Sequence, residues 1–332
     1  MASKPTYTDQ QLELYLERIG YSNSDDRLQI LRQSIENDAL GTLAELQRRH
    51  LAAIPWGNSG MHYSQHHTIA LNPHWLFEKM VNRRLDGYCM ENTGIFFIVL
   101  RSLGYHVYAT GGRVSHAAAK GVNNGLYLAI GHMILIVMIQ GEKYMVSDGT
   151  PPVKLLHGIA LTTQVDVGFG NNCATAPLPL RENATATYIA PSEMRLVKEN
   201  LVEFTDPSQK VWVFQTRYNP EGDWVPQISF SDVEFLPQDF EVMNFSVSQS
   251  RTSWFTKTFI CTRMLLNLDG TEVKGQCVMT GHEVKRRVRG QTEILETLQS
   301  EGDRVRALAK YFDMHLREDE IQGIKGMASE LI

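Results

Sequence analysis

The chain has 332 residues, 43% hydrophobic and 21% charged, enough for two or three packed units with a real core. A formal net charge of −5 and a pI near 6.1 give no reason to expect nucleic acid or an acidic membrane surface as the main partner. Cys89, Cys173, Cys261 and Cys277 lie far apart with no CxxC pair, which speaks against a zinc ribbon or a disulfide scaffold and for a reducing compartment.

The opening MASKPTYTDQ has no apolar signal region, and the longest apolar run, HMILIVMI, is too short to span a bilayer, so a cytoplasmic protein is expected. In YTDQQLELYLERIGY, Thr8 is placed as an N-cap with Gln11 as its capping-box partner, and Leu12, Tyr15, Leu16 and Ile19 share one helix face. A second helix in TLAELQRRHLAAI stops at Pro55. A third is capped by Asn72 with Pro73 in its first turn, and a fourth runs from about Cys89 to Leu103 and ends at Gly104.

From Tyr105 the segments become short and β-rich: HVYATGGRV, LYLAIGHMILIVMI, KYMVSD and QVDVGFG, with QGEK as a hairpin turn, then ATYIAP, MRLVKENLVEF and VWVFQTRY. These predict an antiparallel sheet or barrel. SDVEFLPQDFEVMNFSVSQ reads as helical, KTFICTRMLLNLDGTEVKGQCVMTGHEV as paired strands turning at Asp269-Gly270, and TEILETLQ and RVRALAKYF as closing helices. The plan is helical, then β, then a smaller α/β unit.

Cys89 opens an apolar helix. Free backbone N–H groups and the helix dipole favour a thiolate there and could hold an oxyanion, although a small buried thiol is the plainer reading. A nucleophile needs an oriented histidine. His62, His66 and His67 fall in MHYSQHH, read as a solvated polar loop, and His50, His74 and His315 sit in helical stretches as surface or core-edge residues. His132 differs because it starts the unbroken strand HMILIVMI, where a polar ring needs a partner. Asp166, between valines in VDVGFG, is the matching acid. Asp148 in SDGTPP competes for that role, although its turn sequence would satisfy it locally. Cys, His and Asp together support thiol-dependent acyl transfer or hydrolysis without choosing between them.

Several segments, in order, resemble the arylamine N-acetyltransferases, especially their fungal members. GYCMENTGIFFIVLRSLGYHV with GGRV is similar to the family's nucleophile segment, GHMILIV to its histidine strand and VDVGFG to its aspartate motif. VWVFQTRYNPEGDWVPQISFS and DFEVMNFSVSQSRTSWFTKTFICTR resemble its barrel-to-lid junction. The likeness covers roughly residues 8 to 275. It implies an α+β fold: a helical bundle (1–104), a central antiparallel β-barrel (105–225) and an α/β lid with the C-terminal tail (226–332), built around a papain- or transglutaminase-like Cys-His-Asp core.

By the same resemblance, Cys89 is the nucleophile, His132 its base and Asp166 the orienting acid. Acetyl-CoA or another short acyl-CoA, malonyl-CoA included, is the donor in a ping-pong reaction with an arylamine or hydrazine, and no metal is involved. Gly131, Ser246, Thr252 and Ser329 fall on CoA-contact positions, and Phe169 on an acceptor-pocket position. A thiol hydrolase or transglutaminase-like enzyme is the alternative. The chain departs from the family at Leu85-Asp86-Gly87, where Arg-Gly-Gly is usual, and at Thr93, where asparagine is usual and Asn92 stands one earlier. It also carries an expected inserted loop, SDGTPPVKLLHGIALTTQ. A malonyl carboxylate would require a nearby cation, for which Arg84 and Arg113 are the candidates.

Overall fold

The computed structural model of the chain describes residues 4–139, 143–145, 153–155, 161–170 and 173–331. Asp148 and residues 140–142 of the expected QGEK turn lie outside them, as does much of the expected inserted loop.

Helix α1 (Asp9–Arg18) starts as its sequence predicts: Gln11 N donates to Thr8 Oγ1 at 3.3 Å and Thr8 N donates to Gln11 Oε1 at 3.0 Å. Helix α2 (Arg27–Asn37), which the apolar pattern did not reveal, buries only Leu28 and Leu31. Helix α3 (Ala39–Ala53) stops before Pro55 and leads into the two-residue strand β1 (Trp56–Gly57) and helix α4 (Ser59–His62). Helix α5 (Pro73–Phe77) is capped by Asn72, whose Oδ1 accepts from His74 N at 2.9 Å, and runs into a π-helical turn over Glu78–Asn82. Helix α6 (Cys89–Ser102) follows, and Gly104 reverses the chain at φ +89°.

Strand β2 (His106–Ser115) passes through the short helix α7 (His116–Lys120) to β3 (Tyr127–Ile139). Then come β4 (Lys143–Met145), β5 (Val153–Leu155), β6 (Leu161–Val165), β7 (Leu178–Pro179), β8 (Ala184–Thr187), β9 (Glu193–Glu199), β10 (Val211–Arg217) and β11 (Val225–Phe230). Among the described residues β4 and β5 pair only with each other; the other strands of this segment form one antiparallel sheet in the order β7-β6-β3-β2-β11-β10-β9-β8. The expected barrel is therefore corrected to an open sheet. Its edge strands β7 and β8 have two and four residues and do not pair with each other, too little backbone for a closing ladder. From His132 to Val137, strand β3 is buried on both faces. Met133, Leu135 and Val137 pack into the helical core while Ile134 and Ile136 pack into the sheet's other core, so HMILIVMI is continuously apolar.

Helix α8 (Pro237–Gln249) leads to β12 (Ile260–Leu266), β13 (Val273–Thr280), β14 (Glu283–Val288), β15 (Gln291–Thr297), α9 (Glu301–Phe312) and α10 (Glu318–Gln322). The second sheet has the order β1-β12-β13-β14-β15, so a strand from the first hundred residues forms its edge. The expected helix at TEILETLQ is corrected to β15. Arg289 (φ +48°) and Gly290 (φ +79°) form a two-residue turn between β14 and β15, and pairing from Val288–Gln291 to Glu283–Thr297 fixes the segment as a strand. Helix α9 packs Ala307, Leu308 and Phe312 against Cys261, Met279 and Val284 of this sheet.

Candidate active site

The loop entering α6 is held from behind. Gly57 N donates to Gly87 O at 3.0 Å and Gly87 N to Pro55 O at 3.2 Å. Asp86, the atypical residue before the nucleophile, is fully buried and accepts from Ser59 N at 3.1 Å and from Ser59 Oγ. A Cβ on Gly57 would stand 2.2 Å from Asp86 Oδ2, so only glycine fits opposite this carboxylate. Glu91 accepts from Tyr88 N at 3.1 Å and from Lys79 Nζ at 2.7 Å. Burial pushes both Asp86 and Glu91 above the usual carboxylate range, against the pull of Lys79.

Asn92 donates to Pro55 O at 3.3 Å and to Gly87 O, and its Oδ1 lies 3.0 Å from His50 Nε2. Tyr15 OH lies 2.9 Å from the ring's other nitrogen. His50 is thus fully buried, a correction to its expected surface or core-edge place, and burial pulls it down to about 4. A neutral imidazole here braces the loop from beneath.

Cys89 is 5% exposed, with Sγ 3.9 Å from the carbonyl oxygen of Gly131, the residue before His132. The N–H groups of Met90 and of Cys89 itself favour its thiolate, but burial outweighs them and pushes the thiol up; the nearby Asp166 charge adds to that. A helix start alone therefore does not ionise this cysteine. A group that can take the proton and keep the resulting positive charge beside it is needed.

His132 directly follows Gly131 in β3. Its Nε2 lies 2.8 Å from Asp166 Oδ2, both side chains are almost fully buried, and Nδ1 has no partner among the described residues. Asp166 Oδ1 accepts from Gly168 N at 2.8 Å. Gln47 Nε2 donates to Asp166 O at 3.1 Å and to Ala174 O at 2.7 Å, which ties the acid's backbone to α3. A Cβ on Gly168 would lie 2.5 Å from both Cys89 O and Thr93 Oγ1, so this glycine lets the aspartate loop press onto the first turn of α6. Three separate elements thereby bring Cys89, His132 and Asp166 to one place.

Aromatic rings surround it. Phe169 meets the His132 ring edge-on at 5.3 Å between centroids. Gly170 (φ +70°) passes so close to Trp56 that a Cβ would stand 2.7 Å from its ring, and Phe255 meets Trp56 edge-on at 5.9 Å. Gly131 faces α8, where a Cβ would be 3.0 Å from Val247. Ser246, beside Val247, is exposed; Thr252 is also exposed, with Oγ1 3.0 Å from Ser250 Oγ.

Ser329 lies 2.7 Å from His62 Nδ1 through its Oγ, and its carbonyl accepts from Arg304 at 2.6 Å. His62 is fully buried rather than in a solvated loop, a correction to its expected place. Its Nε2 lies 2.9 Å from Phe255 O and 3.0 Å from Asn58 Nδ2, and burial pulls it down to about 4. The C-terminal tail is therefore fastened to the support of the Phe255 wall. Gln47, Trp56, His62 and Phe255 carried no local sequence signal for these places, because each acts across more than a hundred residues or between separate units. Arg84 (φ +54°) is ion-paired to Asp313 at 2.6 Å. Arg113 is half-buried on β2 opposite Ile130, with no hydrogen bond or ion pair among the described residues.

The helical layer, the two antiparallel sheets and their connections define the fold of arylamine N-acetyltransferases. The enzyme of that name from Nocardia farcinica superposes with a TM-score of 0.70 at 25% identity, over 97% of each chain. The Mycobacterium marinum enzyme, solved in complex with CoA, superposes with a TM-score of 0.68 at 24% identity, over 95% of this chain and 99% of that one. Residues 39–165 and 164–321 match the model of the N-acetyltransferase family, and the chain belongs to that family of acyltransferases. It is 31% identical over 337 residues, 96% of this chain and 93% of the other, to N-malonyltransferase FDB2 of Fusarium pseudograminearum (strain CS3096). It is 25% identical over 258 residues, 76% and 77% of the two chains, to arylamine N-acetyltransferase 2 of Macaca mulatta.

Proposed function

We propose that the protein transfers a short acyl group from acyl-CoA to an arylamine or hydrazine nitrogen through a thioester on Cys89. The observation that carries this reading is the His132–Asp166 pair, which leaves Nδ1 without a partner among the described residues, next to the helix that opens at Cys89. In the first half-reaction the Cys89 thiol gives its proton to Nδ1 of His132, and the thiolate attacks the acyl carbonyl. Backbone N–H groups at the start of α6 stabilise the oxyanion. The carbon–sulfur bond to CoA breaks, and the CoA sulfur leaves with the proton from the imidazolium. In the second half-reaction the amine attacks the thioester, passes its proton to His132, and the amide departs as Cys89 recovers its thiol. Asp166 keeps the ring in one tautomer and stabilises the imidazolium.

Gly131 and Ser246, where α8 meets β3, are assigned to the CoA side together with Thr252 and Ser329, and Phe169 to the acceptor pocket. Ser329 has the least support as a direct contact, since its hydroxyl engages His62. The assigned division is a helical unit to residue 104, a sheet unit from 105 whose expected end at 225 moves to 230 to keep β11 with its sheet, and a lid beyond, around a Cys-His-Asp core of the papain or transglutaminase kind. All four cysteines are free, in keeping with a cytoplasmic setting.

Acetyl-CoA is the first donor. Malonyl-CoA is the second, supported by the relative named as an N-malonyltransferase and by the guanidinium of Arg113, which has no ion-pair partner among the described residues. Intact-mass measurement after incubation with acetyl- or malonyl-CoA tests the reading. A single acyl adduct lost in Cys89→Ala supports it; no adduct from any short acyl-CoA sinks it.

A further inference from the structure

A cavity of about 1170 Å³ lies between the β12–β15 sheet and the C-terminal end of α9, and its lining shares no residue with the site around Cys89. Five cations line it, Arg263, Lys274, Arg286, Arg289 and Lys310, against the single carboxylate of Glu293. The chain as a whole carries a net charge of −5, so this concentration runs against its composition.

The sheet register builds it. Arg263 pairs with Cys277, Cys277 with Arg286 and Arg286 with Glu293, which puts these four residues in one row across four strands and on one face. The small Cys277 leaves a trough between the two arginines, whose backbones stand roughly 10 Å apart. Lys274 enters at the irregularity in register opposite Leu265 and Leu266, and Lys310 forms the helical wall.

Two of the cations already have partners. Arg286 lies 2.6 Å from Glu293, and Lys310 lies 3.1 Å from Glu296. Arg263, Lys274 and Arg289 have no hydrogen bond or ion pair among the described residues. Arg289 also holds φ +48° in a turn position that favours asparagine, aspartate or glycine. Arg263 and Lys274 are half-buried and Arg289 is exposed at the rim; like charges gathered in a concave trough repel one another, and such a trough focuses positive potential on whatever anion enters it.

We infer that this cavity is a binding site for a small phosphate-bearing anion, held by Arg263, Lys274 and Arg289 with the exposed Arg286 beside them. Guanidinium forks match phosphate oxygens in pairs, and the lysine adds a mobile point charge. The phosphates can belong to a free di- or triphosphate or to the nucleotide end of CoA, and a competition experiment separates the two.

Titration calorimetry of the full chain with inorganic pyrophosphate tests the site, using wild type, Arg263→Gln and Lys274→Gln, each checked for an unchanged Tm. Binding by wild type, weakened about tenfold or more in each variant and falling with added salt, is the expected result. If CoA displaces pyrophosphate, the nucleotide end of CoA is the natural occupant. If both bind additively, the occupant is a free phosphate compound. No binding by wild type at millimolar pyrophosphate, or equal binding by the variants, overturns the inference. Acyl-adduct formation on Cys89 in the same variants reads the catalytic site separately, so failure here leaves the proposed reaction standing.

Discussion

Nε2 of His132 and Oδ2 of Asp166 stand 2.8 Å apart at the meeting of β3 with the loop after β6, each side chain at most 2% exposed. Nearly all the water that would screen the carboxylate has been replaced by protein, so it acts strongly on the one ring it touches. Asp166→Asn keeps the shape and removes the charge. We expect kcat to fall about 10²- to 10⁴-fold, with Tm within a few degrees of wild type. Stopped-flow formation of the acyl-enzyme measures this; a variant that acylates at the wild-type rate rules out the orienting role.

Gly168→Ala inserts a Cβ 2.9 Å from Cys89 Cα and 2.5 Å from Cys89 O, where backbone rather than a flexible tip must yield. Overpacking of this kind costs about 1–3 kcal/mol. The displaced loop also carries Asp166 away from His132. Urea unfolding should show the loss, and iodoacetamide should alkylate Cys89 more slowly than in wild type at the same pH. Unchanged stability and reactivity would mean that the loop does not press on the helix.

Arg113 and Arg84 are separated by their partners. Arg84 is committed to Asp313, whereas Arg113 has no counter-charge among the described residues. Arg113→Gln should lower kcat/KM for malonyl-CoA about 10- to 100-fold while leaving acetyl-CoA within a factor of a few, since a hydrogen bond to a charged group contributes about 1.5–3 kcal/mol. Arg84→Gln should change neither donor. Equal losses for both donors in Arg113→Gln would make that arginine structural.

His50 and His62 are held down to about 4 by burial, against about 6.5 in an unfolded chain. Between those values the unfolded chain binds more protons at these sites, so stability rises with pH. The contribution is complete above pH ~6.5 and is lost as pH falls toward ~4. Each histidine accounts for at most roughly 3 kcal/mol of this. Asp86 and Glu91, raised by burial, contribute in the opposite sense from pH ~4 upward, so the comparison must be between variants. Urea midpoints at pH 7 and pH 5 should differ less for His50→Gln than for wild type. An identical pH dependence would show that His50 does not stay neutral in the fold.

Much of the fold was legible locally. The capping box at Thr8, the Asn72-Pro73 start and the Gly104 stop follow from backbone chemistry within a few residues. Helix α2, with two buried leucines, gave too weak a periodicity to be read. TEILETLQ misled because its short apolar spacing suits a helix, while the ladder with β14 decides its state.

The candidate residues Cys89, His132 and Asp166 were determined by sequence alone, because an acid between valines and an imidazole at the head of an apolar strand need partners wherever they fold. Only the tertiary structure shows the 2.8 Å contact between that ring and that acid and the burial that pushes the thiol up. Burial reverses the gain expected from a helix start, and the role of Asp86 depends on a glycine twenty-nine residues earlier. Desolvation and close backbone approach are properties of packed surfaces. They arise when distant segments exclude water together, and no local stretch of sequence records that.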